Sequence, residues 1–164
     1  MPAQLVRLAR RGFSMLELMA VLLVIAILTT IAIPSVSNSI VMGQVSDALT
    51  LSTFVKTAVQ NYYAQTQKLP ASNATVAIPP ANDIVSNWVS NLAVANGVIT
   101  ITFGNQANPR LRGRLLTLRP AVVTGYPQTP ITWLCAHAAV PTNMTAIGTD
   151  QTNIPSAELP YLCR

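Results

Sequence analysis

Between Phe13 and Ile33 the chain runs for 21 residues with a single charged side chain, Glu17. Wound as an α-helix at about 1.5 Å per residue, that segment is long enough to cross roughly 30 Å of hydrocarbon. It concentrates the apolar excess of a 164-residue chain that is 51% hydrophobic and 9% charged, with a mean hydropathy of +0.43; an ordinary soluble domain has about 25% charged residues. The composition excludes a disordered polyelectrolyte, the length suits one domain, and the apolar run argues against a soluble cytoplasmic enzyme. A secretory signal would have a shorter apolar core of about 7–15 residues followed by a small-residue cleavage site. Here the apolar part is longer, and the chain beyond Ile33-Pro34-Ser35 still reads as helix. On hydropathy alone the segment is an uncleaved anchor tethering a periplasmic domain.

The net charge of +5 comes from ten Lys plus Arg against five Asp plus Glu, and three of the cations, Arg7, Arg10 and Arg11, precede the apolar run. Without them the balance is seven against five, so the pI of 9.8 describes a basic leader more than a basic surface. A basic end ahead of the only hydrophobic span stays in the cytoplasm and sends everything after Ile33 across the membrane. Cys135 and Cys163 then lie where a disulfide can form.

Glu17 sharpens the reading. An acid within a spanning helix costs about 2.5–3.5 kcal/mol on insertion scales, so it either reaches headgroup water or has a partner. Arg10-Arg11-Gly12-Phe13-Ser14-Met15-Leu16-Glu17-Leu18, followed by Met19 to Leu28, closely resembles the processing site and first helix of type IV prepilins. Glycine, aromatic residue, acid and apolar run all fall in register. The resemblance implies that a membrane-embedded prepilin peptidase cuts between Gly12 and Phe13 and methylates the new amino terminus of Phe13. Glu17 then becomes the fifth residue of the mature chain. Its carboxylate gains a few tenths to about 1 kcal/mol from the helix dipole. It can also pair with the terminal amine of the next subunit, reference pKa about 7.7–8.0, where Coulomb attraction opposes the desolvation of both charges.

Past Ile33 the pattern predicts a continuing helix to about Lys68, roughly 84 Å in all, with weak points at Pro34 and Gly43. Val41, Val45, Ala48, Ser52, Val55, Val59 and Tyr62 form its buried stripe, and Leu69-Pro70 ends it. Residues 71–87 read as a loop in which Ile84 and Val85 can dock. Strands are predicted over Trp88 to Ala95 and Val98 to Phe103, joined by an Asn96-Gly97 turn, with Ile99, Ile101 and Phe103 on one face. A third strand over Arg114 to Arg119, bounded by Pro120, and a fourth over Ile131 to Cys135 complete an antiparallel sheet covered by the helix stripe. The fold class is therefore α+β. A disulfide closing the irregular stretch from Cys135 to Cys163 would contribute about 3–4 kcal/mol in the chain-entropy picture. His137 is the lone histidine, read as a solvated or core residue, and no spacing fits a metal, a redox pair or a cofactor.

The second half resembles the type IVa major pilins. Gln44 to Leu49 with Lys56 to Val59, Asn96 to Phe103, Leu116-Thr117-Leu118, Trp133-Leu134-Cys135 and Leu159 to Cys163 fall in that family's order. The resemblance implies a leader over 1–12, a helix over 13–68 whose apolar half is 13–33, and a head over 69–164 with its disulfide loop over 135–163. It implies a single-pass inner-membrane precursor with a periplasmic head. The mature form is a homo-oligomeric helical filament outside the cell, raised by the pilus assembly machinery and serving adhesion, twitching motility and DNA uptake. No nucleophile-base pair, paired carboxylates or phosphate loop supports an enzyme. The rival readings are a minor or competence pilin that captures DNA through Arg110, Arg112, Arg114 and Arg119, and a type II secretion pseudopilin, which the closing disulfide loop disfavours. Such arginines beside a strand edge more often guard against aggregation.

Overall fold

The computed structural model describes residues 12–164, and for residues 31–37 the backbone alone. The leader arginines Arg7, Arg10 and Arg11 and the side chain of Pro34, where a kink was predicted, lie outside that description. The chain divides into two units, residues 1–37 and 38–164.

The first helix, α1, is Met15–Leu51. From Met15 to Leu28 its large apolar side chains are all exposed, and the Thr29 and Thr30 hydroxyls donate to the carbonyls of Ala26 and Ile27 at 2.9 and 2.7 Å, so neither is left unsatisfied. Among the described residues no helix is long and apolar enough to cross a membrane.

In the second unit α1 gives way at Ser52 to α2, Thr53–Thr66. The single predicted helix is thus divided here, while Gly43 sits uninterrupted inside α1. The cause is local: the Ser52 hydroxyl donates to the Leu49 carbonyl at 2.7 Å and Thr53 Oγ1 reaches the same oxygen at 3.4 Å, competing for a backbone acceptor. The direction of the chain is barely disturbed, since Ser52 keeps right-handed helical angles and the bonds Ser52 N–H to Ala48 O and Lys56 N–H to Ser52 O persist. The apolar stripe therefore stays in register across the break. Val41, Val45, Ala48, Ser52, Val55 and Val59 are all fully buried. Its last member is Tyr63 rather than the predicted Tyr62, because the buried face advances by four residues from Val55 to Val59 to Tyr63. Gln67, in a left-handed conformation, returns its N–H to Tyr63 O and ends the helix just before Leu69-Pro70.

This stripe packs into one core with an antiparallel sheet of five strands, one more than predicted. The strands are β1 Val89–Ala95, β2 Val98–Phe103, β3 Leu115–Val123, β4 Thr132–Cys135 and β5 Met144–Ala146. Their order is β1-β2-β3-β4, with β5 pairing the far end of β3. Asn96 and Gly97, at φ +50° and +81°, make the hairpin turn the dipeptide called for, and Ile99, Ile101 and Phe103 are buried together. Pro120 does not bound β3 but lies inside it. Its carbonyl accepts from Ile147 N–H, so its ring nitrogen faces the same edge, past the last β2 pair at Ile99 and Leu118 and before β5 begins opposite Ala121. The missing N–H costs only the return bond to the Ile147 carbonyl, at the seam where β2 has ended and β5 has not yet begun. β5 escaped prediction because three residues inside the cysteine loop carry no alternation. The stretch read as a loop contains two short 3₁₀ turns, Asn73–Val76 and Ala81–Asp83; Ile84 docks in the core, whereas Val85 stays exposed.

Candidate functional site

Gly12, Phe13 and Ser14 lie ahead of α1, and Phe13 is 77% exposed. Ser14 is the cap: its Oγ accepts the Glu17 backbone N–H at 3.1 Å, and its carbonyl accepts the Leu18 N–H at 3.1 Å. One of the N–H groups that a helix start leaves without an intrahelical partner is thereby satisfied. Ser14-Met15-Leu16-Glu17 has the spacing of a capping box, a signal legible in the sequence but missed when Glu17 is read for its charge alone. Glu17 sits in the first turn, where the helix dipole favours an anion. It shares a face with Ala20, Val21, Val24 and Ile25, which line a shallow apolar groove. From Phe13 to Leu28 every large apolar side chain is between 48% and 83% exposed, so no single stripe can be turned inward. A helix apolar on all sides calls for surroundings on all sides.

At the other end of the chain Cys135, closing β4, is joined to Cys163 with a Cα–Cα distance of 4.6 Å. Both cysteines are buried, while Tyr161 and Leu162 beside them project into solvent. The His137 N–H donates to the Cys163 carbonyl at 3.2 Å, and His137 Nδ1 lies 2.9 Å from Asp150 Oδ2. His137 is therefore an exposed residue holding one side of the loop to the other. Partial burial pushes the Asp150 carboxyl up. Hydrogen bonds from the Thr152 side chain and backbone, then the charges of His137 and Arg119, outweigh that and leave it below its ordinary value. Lys56, on α2, is lowered by burial.

The four arginines read as a phosphate-binding set each have a protein acceptor. Arg110 reaches the buried carboxylate of Glu158 at 2.5 Å and Asn38 Oδ1 at 3.0 Å. Arg112 donates to the Ala107 carbonyl at 3.4 Å, Arg114 to the Asn153 carbonyl, and Arg119 to the Ala136 carbonyl at 3.3 Å. Contact with phosphate would have to exchange these bonds. Among the described residues no three His, Cys, Asp or Glu side chains come together as a metal site.

Residues 42–164 match the pilin family of bacterial filament proteins. The chain belongs to the pilin family. Residues 7–33 match the prokaryotic N-terminal methylation motif, a segment that includes Gly12, Phe13 and Glu17. This pilin is similar to the type IV major pilin protein PilE1 of Neisseria gonorrhoeae, 34% identical over 162 residues that cover 94% of this chain and 87% of the relative. It is similar to the fimbrial protein EcpC of Eikenella corrodens, 32% identical over 133 residues, with 79% and 84% covered. The type IV major fimbrial protein FimA of Dichelobacter nodosus is 29% identical over 127 residues, with 66% and 81% covered.

Within the head of this pilin, sequence reading passed over Asn73. Its side chain is buried, donates to the carbonyls of Pro79 and Leu92 at 2.9 and 3.1 Å, and accepts the Val94 N–H at 2.6 Å. One amide thus fastens the segment after α2 to β1.

Proposed function

We propose that this pilin is the structural subunit of a type IV pilus. It is made as a single-pass inner-membrane precursor with its head in the periplasm, and prepilin peptidase cuts it between Gly12 and Phe13 and methylates the Phe13 amine. The pilus assembly machinery then polymerises it outward as a helical homo-oligomer. The observation that supports this reading best is the α1 segment from Met15 to Leu28, which exposes all its large apolar side chains around a first-turn acid. Fully burying one Leu, Ile or Phe gains about 1.5–3 kcal/mol. A dozen such groups cannot stand in water, so the helix needs apolar surroundings at every stage. Lipid meets that need before assembly and neighbouring copies meet it afterwards.

Glu17 is the residue that distinguishes polymer from membrane. In lipid its carboxylate has only the dipole of its own helix; in a filament it can face the methylated, still cationic amine of an adjacent Phe13. The relatives named as major pilin and fimbrial proteins support the major-subunit role. The chain does no chemistry of its own, and adhesion and twitching motility are properties of the filament and of cytoplasmic motors that extend and withdraw it.

The test is direct. Filaments sheared from cells should consist mainly of this chain, with mass spectrometry placing Phe13 at the terminus and one methyl group on it. Glu17→Ala should insert into the membrane at the unaltered level and assemble few or no filaments. An intact leader in mature material, or full-length filaments from the substituted chain, would reject the reading.

A further inference from the structure

Where α1 begins decides which carbonyls near Gly12 are drawn into helical hydrogen bonds. In an α-helix each N–H bonds the carbonyl four residues back. Were α1 one residue longer, the Glu17 N–H would turn to the Phe13 carbonyl, and one residue more would draw the Gly12 carbonyl onto the Leu16 N–H. Instead Ser14 Oγ holds the Glu17 N–H at 3.1 Å, and Gly12, Phe13 and Ser14 stay outside the helix. Little else in the sequence stops the helix there. Met15, Leu16 and Leu18 follow the cap, and Arg7-Leu8-Ala9-Arg10-Arg11 precedes Gly12, all strong helix formers. Gly12 by itself is a weak brake.

We propose that Ser14 is a positioning residue for processing: its cap halts α1 just short of the Gly12–Phe13 bond and keeps that bond in a non-helical, exposed segment that a peptidase can engage. The inference rests on the cleavage reading above. In the reaction water adds across the amide: the C–N bond between Gly12 and Phe13 breaks, the hydroxyl goes to the Gly12 carbonyl carbon and the proton to the Phe13 nitrogen. A carbonyl already committed to a helical N–H is not free to take the donors that must stabilise its developing negative charge. Ser14 touches neither the water nor the reacting carbon; it acts through the helix start.

The full-length chain in lipid vesicles, incubated with the prepilin peptidase, gives the measurement. Initial cleavage rates are compared for the unaltered protein, Ser14→Ala, Ser14→Thr and Ser14→Asn, with the new terminus read by mass spectrometry. Losing an N-cap side chain shifts a helix-start equilibrium by roughly 3- to 30-fold, so Ser14→Ala should be cut slower by a factor in that range, and its backbone chemical shifts should show Phe13 joining the helix. Ser14→Thr and Ser14→Asn, which also cap, should stay within about twofold of the unaltered rate. Rescue by asparagine separates capping from recognition of a hydroxyl. Unchanged cleavage of Ser14→Ala, or equal slowing of the alanine and asparagine variants, overturns the inference and leaves the cleavage reading standing. Failure of the unaltered chain to be cut between Gly12 and Phe13 removes both.

Discussion

Asp150 carries much of the electrostatics of the closing loop. It sits between the imidazole of His137 and the backbone N–H of Thr152, each at 2.9 Å, with the Arg119 charge acting on it as well. Partial burial alone would raise its pKa; the Thr152 hydrogen bonds, with His137 and Arg119 close by, reverse that and hold it below the ordinary aspartate value of 3.8. A group whose folded pKa lies below its unfolded one stabilises the fold at pH above the unfolded value and loses that contribution as pH falls toward the folded one. Acidifying from neutral pH should therefore leave this contribution intact until about pH 4 and remove it below. A carboxyl titration followed by NMR should give Asp150 a midpoint under that of a model aspartate, and Asp150→Asn should flatten the acid limb of the unfolding curve. A midpoint at or above the ordinary value would mean that desolvation prevails.

Single residues also show what a sequence conceals. The stripe from Val41 to Val59 was legible because its chemistry repeats with the helix. Asn73 was not, because a buried amide and an exposed one look alike until the partners of the amide are known, and those lie six to twenty-one residues along the chain. Pro120 misleads for a related reason: what a proline costs a strand depends on where along the ladder its nitrogen falls, and here it falls between the last β2 pair and the first β5 pair.

Among the elements, the β1–β2 hairpin is the one most completely written in its own residues. Its turn requires positive φ at two successive positions, and Asn96-Gly97 supplies the pair at least cost. Contacts outside the hairpin then fix the tip: Gly97 N–H donates to Pro70 O at 2.8 Å and Asn96 N–H to Ala71 O at 3.3 Å. A Cβ on Gly97 would meet Leu69 side-chain atoms at 2.8–3.0 Å in addition to the left-handed backbone strain. Gly97→Ala should accordingly destabilise the head by about 1–3 kcal/mol, combining the conformational penalty with displacement of Leu69. Urea unfolding followed by tryptophan fluorescence checks it; a change under about 0.5 kcal/mol would show that the tip relaxes freely. By contrast, the parting of α1 from α2 at Ser52 and the strand β5 owe little to local propensity. The first arises from two hydroxyls sharing the Leu49 carbonyl, the second from the far half of β3 needing a partner once β2 has ended.

At the scale of the whole molecule, the two units meet opposite requirements. The core of the second unit starts at Val41, takes in the sheet and the C-terminal turns, and is closed by the Cys135–Cys163 bridge. No side chain between Phe13 and Leu28 belongs to that core, and the large apolar ones among them are exposed. Folding of the head and burial of the N-terminal helix are therefore separable tasks. A chain beginning at Asn38 should fold to the same structure, form the disulfide, remain monomeric and melt within a few degrees of the full-length protein, because no described side chain ahead of Asn38 belongs to its core. It should at the same time be unable to enter filaments, since the apolar helix and Glu17 are gone. Calorimetry and sedimentation measure the first pair of properties, and electron microscopy of complemented cells the second. A truncated head that unfolds at ordinary temperature would place essential packing in residues 13–37, and one that still polymerises would assign assembly to the head surface instead of the helix.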